Sequence, residues 1–156
     1  MNIFVLDYNP TQAGWWLCDQ HVSKMILETA QIMSTVAGGP YKPFNPKHPA
    51  VVWAGEASEN MRWLTLHAQG MHAEFWRRYG RVHKSAAVIA QLRGLWKTLP
   101  KGRTDFVQCM PDEYKGPCPV EAYRRFYVNE KSRFATWKAN RPAWMDDESL
   151  RRQPSL

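Results

Sequence analysis

Three residues with complementary chemistry share one stripe of an apolar, helix-forming stretch. Between Trp15 and Val36 the sequence has helical periodicity and little charge, yet it carries His21, Lys24 and Glu28. At ~100° per residue, His21, Lys24, Glu28 and Gln31 fall within a sector of roughly 80°. Met25, Thr29, Ile32, Met33 and Val36 occupy the adjoining sector, and Ser23, Leu27, Ala30 and Ser34 hold the remaining face. A solvated helix has a charged outer face. This one has none, which predicts burial on most sides. Buried ionisable groups must pair with one another or line a cleft. An imidazole transfers protons near neutral pH. A carboxylate beside a reacting sugar stabilises positive charge developing at the anomeric carbon. A desolvated lysine amine is neutral enough to attack that carbon. The competing reading is structural: an internal Lys24–Glu28 ion pair with His21 hydrogen-bonded nearby. Lys followed by Glu is the weaker order for stabilising a helix, which favours a catalytic or ligand-binding role.

Less specific candidates lie elsewhere. His48-Pro49 sits in a proline-rich loop. Trp63 and His67 share a helix face with Asn60, although a core position is the default for His67. The loop 106–115 has no regular period and contains Gln108; irregular loops of that length often carry function. Gln31, His48, Trp63, His67 and Gln108 are therefore the candidate pocket residues. Cys18, Cys109 and Cys118 form no CxxC pair, and an odd count suggests free thiols. Cys18 and His21 are spaced to share a metal, but no second ligand pair completes a site, so no metal and no organic cofactor are expected. His21-Val22-Ser23 matches half of a His-x-Ser/Thr phosphoesterase pair, and no second half exists. Nucleotide-binding glycine motifs, HExxH and GxSxG are missing too.

The elements that must hold these residues read as mainly α. The expectation is a single compact helical domain, residues 1–145, with about four helices, long irregular loops and a short extended segment at 2–7. A polar, frayed tail is expected over 146–156. The first helix is predicted to start at Thr11 and end near Val36, before Gly38-Gly39-Pro40. A short helical turn through Trp53 follows, broken by Gly55. Helices over 59–79, 82–97 and from Val120 to about Trp137 complete the set. The charge is +7, from 21 Lys+Arg and 14 Asp+Glu. Eight basic residues and no acidic one lie between Glu74 and Asp105. Trp76, Tyr79 and Trp96 interleave with them, a pattern suited to phosphate contact and base stacking. Arg77, Arg78, Arg81, Lys84, Arg124, Arg125 and Arg141 are the candidate nucleic-acid contacts. The alternative is a solvated basic face. No apolar run approaches the ~18 residues needed to span a membrane, and Met1–Asp7 lacks the features of a signal peptide. The expected location is cytoplasmic.

Leu17-Cys18-Asp19-Gln20-His21, with Glu28 seven residues after the histidine, resembles the first helix of the phage pyrimidine-dimer DNA glycosylases of the endonuclease V type. That family has Asp-Gln-His there and a catalytic glutamate seven residues on. The resemblance continues in His48-Pro49, in Arg77-Arg78-Tyr79-Gly80, and in Lys138 followed by Arg141-Pro142-Ala143-Trp144. The chain resembles more closely a group of phage and bacterial proteins of unassigned activity. With these it shares the opening Asn2-Ile3-Phe4-Val5-Leu6-Asp7, His21-Val22-x-Lys24-Met25-x-Leu27-Glu28 and Met110-Pro111-Asp112-Glu113-Tyr114-Lys115. The glycosylase resemblance implies a small, basic, helical enzyme acting on DNA. Its nucleophile would be the α-amine of a small residue exposed when the initiator Met is removed. Here Asn2 follows Met1, and a bulky second residue usually leaves Met in place. An α-amine titrates near ~8, so Met1 itself is a candidate nucleophile. Arginines near the family's glutamate are not reproduced between Met25 and Ala30.

The leading expectation is a DNA glycosylase and abasic-site lyase acting on a damaged or modified base. Glu28 would stabilise the sugar's charge, His21 would orient it or move a proton, and Met1 or Lys24 would attack. The nucleophile, whether Met1, Lys24 or water, stays open at this level, as do the base recognised and the oligomeric state. Two other readings remain. One is an enzyme acting on nucleotides or hypermodified phage bases without strand cleavage; if phage-encoded, the protein would work in the host cytoplasm. The other is a non-catalytic binder of nucleic acid or of a host protein, with the stripe as a buried polar network.

Overall fold

A computed structural model describes residues 1–152. Six α-helices run in the order α1 (Pro10–Trp15), α2 (Asp19–Ala37), α3 (Pro49–Glu56), α4 (Ser58–Tyr79), α5 (Ala86–Gln91) and α6 (Pro119–Phe126), with 3-10 turns between and after them. There is no strand among the described residues. The two long helices, α2 and α4, form the centre, and α1, α3 and α5 pack around them.

The long first helix expected from the sequence is two helices. Asn9, not Thr11, caps α1, its side chain accepting from the Gln12 N–H. The chain breaks at Trp16–Cys18, and α2 starts afresh with Asp19 in its first turn, a charge suited to the helix dipole. Close packing explains why the break is tolerated. A Cβ on Gly14 would lie 2.8 Å from the Met71 nitrogen, and one on Gly70 would lie 2.7 Å from the Thr11 carbonyl oxygen. α1 and α4 thus touch backbone to backbone, which only glycine allows. The carbonyls left unpaired at the end of α1 are taken by Arg78, which donates to Trp15 and Leu17 at 2.9 and 2.8 Å.

Other boundaries also differ from the sequence reading. α3 continues through Gly55, where an added Cβ would lie 3.5 Å from the Val36 side chain. Ala57 holds the cap position before α4 and Ser58 is inside the helix. α4 ends as expected at Gly80, in the left-handed conformation at φ 66°. The helix expected over 82–97 is only α5 and a 3-10 turn, Leu95–Thr98. Val82 is 72% exposed, and Ile89 is the one buried residue of α5, so little burial supports a longer helix. The helix expected to reach Trp137 ends at Phe126 and passes into a π turn, Tyr127–Lys131.

The extended segment at the N-terminus is core, with Ile3, Phe4, Val5 and Leu6 all buried. The frayed tail expected from Asp146 is ordered as far as Leu150. Met145 and Leu150 are buried, and Asn129 donates to the Leu150 carbonyl at 2.8 Å. The rest of that expectation, over 153–156, lies outside the described residues. No helix among the described residues is long and apolar enough to cross a membrane.

Candidate functional site

α2 is buried on most sides, but the stripe straddles its border with solvent. His21 and Glu28 are on the inner side, at 6% and 9% exposure. Lys24 is on the outer side, its side chain 65% exposed. The desolvated lysine expected from the sequence is therefore absent. Gln31, half-buried one turn beyond Glu28, continues the border.

A second amine takes the inner position. The N-terminal segment lies across α2 and brings the Met1 nitrogen to 3.9 Å from Glu28 Oε2. The Asn2 backbone N–H donates to the same oxygen at 3.2 Å. Lys24 Nζ stands 3.9 Å from the other oxygen, Oε1. Three nitrogen groups thus face one carboxylate, and two of them are beyond hydrogen-bond length.

Asn2 holds this segment in place. Its Oδ1 accepts from the N–H groups of Ile3 and Phe4 at 2.8 and 3.0 Å, and its Nδ2 donates to the Cys109 carbonyl at 2.7 Å. The 107–109 segment is fixed in turn by Tyr123, whose hydroxyl donates to the Val107 carbonyl at 2.6 Å and accepts from the Cys109 N–H at 3.1 Å. The Met1 side chain is only 1% exposed, so its thioether anchors the amine beside it. Phe4 adopts φ 37°, a left-handed conformation unfavourable for an aromatic residue. Its ring is held between His21, stacked at 4.5 Å, and Phe126, at 6.3 Å. Strain of this kind costs ~1–3 kcal/mol and persists only where packing over-determines it.

His21 touches neither Lys24 nor Glu28 by any hydrogen bond in the structure. Its Nδ1 pairs with the Tyr127 hydroxyl at 2.8 Å, which also receives the Cys18 N–H at 3.0 Å and contacts Cys18 Sγ at 3.1 Å. Burial, then the charges of Lys131 and Lys24, push its pKa down to about 3. The imidazole is neutral at pH 7. His48 caps α3, its Nδ1 accepting from the Ala50 N–H at 3.0 Å. That contact leaves the ring proton on Nε2. Its pKa is lowered by burial and then by the Met1 amine, with Glu28 opposing, which places it in the field of both.

The remaining pocket candidates are scattered. Trp63 donates to the Tyr8 carbonyl at 2.9 Å and lines a separate cavity of about 330 Å³ with Trp53, Asn60, Thr104 and Phe106. His67 is in the core, Nδ1 on the Pro10 carbonyl at 3.1 Å, with burial lowering its pKa to about 4. Gln108 clamps both backbone groups of Gly116.

The candidate phosphate contacts divide sharply. Arg78 is interior, bonded to Glu74 at 2.9 Å and Asp19 at 3.0 Å. Arg77 pairs with Glu74, Arg125 with Glu121, and Arg141 with Asp146 through two bonds. Arg124 donates to the Leu6 carbonyl, pairs with Asp7, and lies over Trp16 and Trp144. These five are structural in whole or part. Arg81 and Lys84 are exposed. Among the described residues no three His, Cys, Asp or Glu side chains converge as a metal site.

Sequence reasoning missed Asn2, Tyr123, Tyr127 and Lys131. Asn2 had a local signal: an Asx side chain two residues ahead of a residue that turns. The tyrosines act across more than a hundred residues or across a loop, and no local pattern announces that.

A family model described as pyrimidine dimer DNA glycosylase matches residues 1–87. The matched part contains Met1, His21, Lys24, Glu28 and His48 and excludes the residues that support them from α6 and the π turn. No curated protein and no solved structure matches the chain.

Proposed function

Since the chain belongs to the pyrimidine dimer DNA glycosylase family, we propose that Glu28 and the Met1 α-amine form its reaction centre, releasing a damaged or modified base and then breaking the strand. The observation that carries this reading is the amine 3.9 Å from Glu28 Oε2, on a segment whose side chains leave it little freedom. In the first step the neutral amine forms a bond to C1′ of the target nucleotide. The C1′–base bond breaks and the base leaves with its electron pair, taking up a proton. Glu28, negatively charged and largely shielded from water, stabilises the positive charge that develops on the sugar. Ring opening then gives a protonated Schiff base between the amine and C1′. That cation acidifies the C2′ hydrogen, Glu28 accepts it, and the 3′ phosphate leaves. Hydrolysis of the Schiff base returns the free amine.

His48, in the electrostatic field of Met1 and Glu28, carries an Nε2–H that serves as a proton donor, and His21 serves by position rather than charge. As a neutral ring stacked on Phe4, it supports the backbone turn that presents Met1. Lys24 assists as an exposed charge beside Glu28. It is the less suitable nucleophile because its side chain is open to water and not held in place.

Borohydride reduction with abasic-site duplex tests the assignment. A covalent adduct on the N-terminal peptide is expected, and blocking the α-amine by acetylation abolishes it. An adduct on Lys24 reassigns the nucleophile. Well-folded protein that gives no adduct on any amine removes the lyase step.

A further inference from the structure

Beside His21, three cations gather with too few anions. Lys131 projects from the π turn over three aromatic rings, its Nζ 4.8 Å from the centre of Phe126 and 6.0 Å from those of Phe4 and Phe134. Two of these rings also hold His21, Phe4 by stacking at 4.5 Å and Phe134 edge-on at 5.7 Å. The shared rings fix Lys131 next to the imidazole. Lys24 approaches from one turn along α2, and among the described residues the only carboxylate it meets is Glu28, at 3.9 Å. Arg133 follows Lys131 by two residues and is exposed. Among the described residues neither Lys131 nor Arg133 forms an ion pair. The neighbouring carboxylate, Glu130, is engaged by the Tyr114 hydroxyl at 2.5 Å and faces Arg152 at 3.7 Å.

An exposed lysine with no partner is ordinary because water screens it. Lys131 differs in being half-buried on apolar rings, where its charge is poorly solvated. Burial and the charges of Arg133 and Lys24 lower its pKa, with Glu130 opposing, and the same cations help to hold His21 neutral. The elements packed around the cluster, α2, α6 with its π turn, and the N-terminal segment, supply no free anion except Glu28. Such mutual repulsion is relieved by an anion from outside.

We propose that Lys131, with Lys24 and Arg133, binds a backbone phosphate of the DNA strand beside the nucleotide that enters at Glu28. The inference rests on the glycosylase reading of Glu28. The spacing supports a strand as the source of the phosphate. Lys24 and Glu28 are separated by ~6 Å along the helix axis, comparable with one or two nucleotide steps at ~3.4 Å each. One helix thus aligns a phosphate contact with a sugar contact. The aromatic floor keeps Lys131 extended and limits the freedom lost on binding. It also orients the strand, since a phosphate at His21 and a sugar at Glu28 set its direction along α2.

The test is anisotropy of a labelled duplex carrying a stable abasic analogue, from ~50 to ~200 mM salt. Lys131→Met keeps the stem packed on the rings and removes the charge. It is expected to weaken binding about tenfold at low salt and to reduce the slope of log affinity against log salt by about one. Lys131→Arg restores both. Should Lys131→Met unfold, as judged by circular dichroism, the exposed pair Lys24→Gln and Arg133→Gln takes its place, with an expected slope change of about two. A wild-type slope in these variants overturns the phosphate site, and base release by the wild type then leaves the glycosylase reading standing. Slope changes as expected, with no base release and no trapped adduct in the wild type, remove the glycosylase reading and keep the phosphate site. Displacement of the duplex by equimolar dAMP overturns the strand assignment in favour of a free nucleotide phosphate.

Discussion

Glu74 and Glu28 are both buried carboxylates on the two central helices, and their surroundings could hardly differ more. Glu74 is fully buried and saturated: it accepts from Arg78 at 2.9 Å, Arg77 at 3.0 Å and Asn140 at 3.0 Å. Arg78 in turn spends its donors on Asp19 and on the last carbonyls of α1. Asp19 closes the arrangement by accepting from the Thr136 hydroxyl and the Lys138 N–H. Glu28 accepts one hydrogen bond, at 3.2 Å, and two amines stop at 3.9 Å. The saturated carboxylate joins α1, α2, α4 and the 136–140 segment. The undersaturated one keeps lone pairs available for charge that is not yet there. Full pairing stabilises a fold, whereas catalysis needs a group whose best partner is the transition state.

Substitutions at the two carboxylate systems break or sharpen that contrast. The largest effect is expected from Arg78→Met, which leaves Glu74 and Asp19 buried without their partner. A loss of about 3–5 kcal/mol in chemical denaturation is expected. A loss under ~1 kcal/mol would show that the cluster is no firmer than a surface pair. Next comes Glu28→Gln, close in shape but uncharged. Base release and borohydride trapping should fall about 10²–10³-fold, equivalent to ~2.7–4 kcal/mol of barrier, with the melting temperature nearly unchanged. A collapse of stability at Glu28 with residual activity intact would make it a second structural carboxylate.

A smaller loss is expected from Tyr127→Phe. Removing the hydroxyl strands the Cys18 N–H and His21 Nδ1, at a cost of ~1–3 kcal/mol. It also frees the His21 ring on which Phe4 stacks, so trapping should decline without a change of trapped residue. The gentlest test is pH. Burial lowers the pKa of His21 to about 3 and of His67 to about 4, below the ordinary value of 6.5. The unfolded chain therefore binds more protons than the native one between these values. Stability is complete above ~6.5 and declines as pH falls towards 4, by up to ~1.4 kcal/mol per pH unit for each histidine. His67→Gln should flatten the dependence of the denaturation midpoint over pH 6.5 to 4 without touching the proposed reaction centre. An unchanged slope would mean that His67 titrates normally.

The helical class and the His21–Glu28 stripe were both legible in the sequence because each rests on local periodicity. The apolar spacing marked α2 and α4, glycines marked their ends, and the seven-residue interval put His21 and Glu28 on one edge. The breaks were not legible. Nothing local distinguishes Trp16–Cys18 from helix interior; the interruption depends on the close approach of α1 to α4 at Gly14 and Gly70 and on Arg78, some sixty residues away, donating to the loose carbonyls. The basic residues misled for the same reason. Arg78, Arg124 and Arg125 read as surface charge because, beside any acidic partner on their own helix, each bonds to groups on other elements: Arg78 to Trp15, Leu17 and Asp19, Arg124 to Leu6 and Asp7, and Arg125 to the Tyr114 carbonyl.

The amino-acid sequence alone determined the helical class, the pairing of His21 with Glu28 on one stripe, and the surplus of positive charge. Those follow from residue type and periodic spacing, which act within a few turns. Only the tertiary structure decided which of the two amines 3.9 Å from Glu28 is held on a buried side chain. Lys24 is four residues away and points to water, while Met1 arrives from twenty-seven residues upstream because Asn2 is bonded to Cys109 and Phe4 is wedged against His21. Proximity on a helix is set by its pitch. Proximity across the molecule is set by which side chains can be buried together, and that is a property of the whole packed chain.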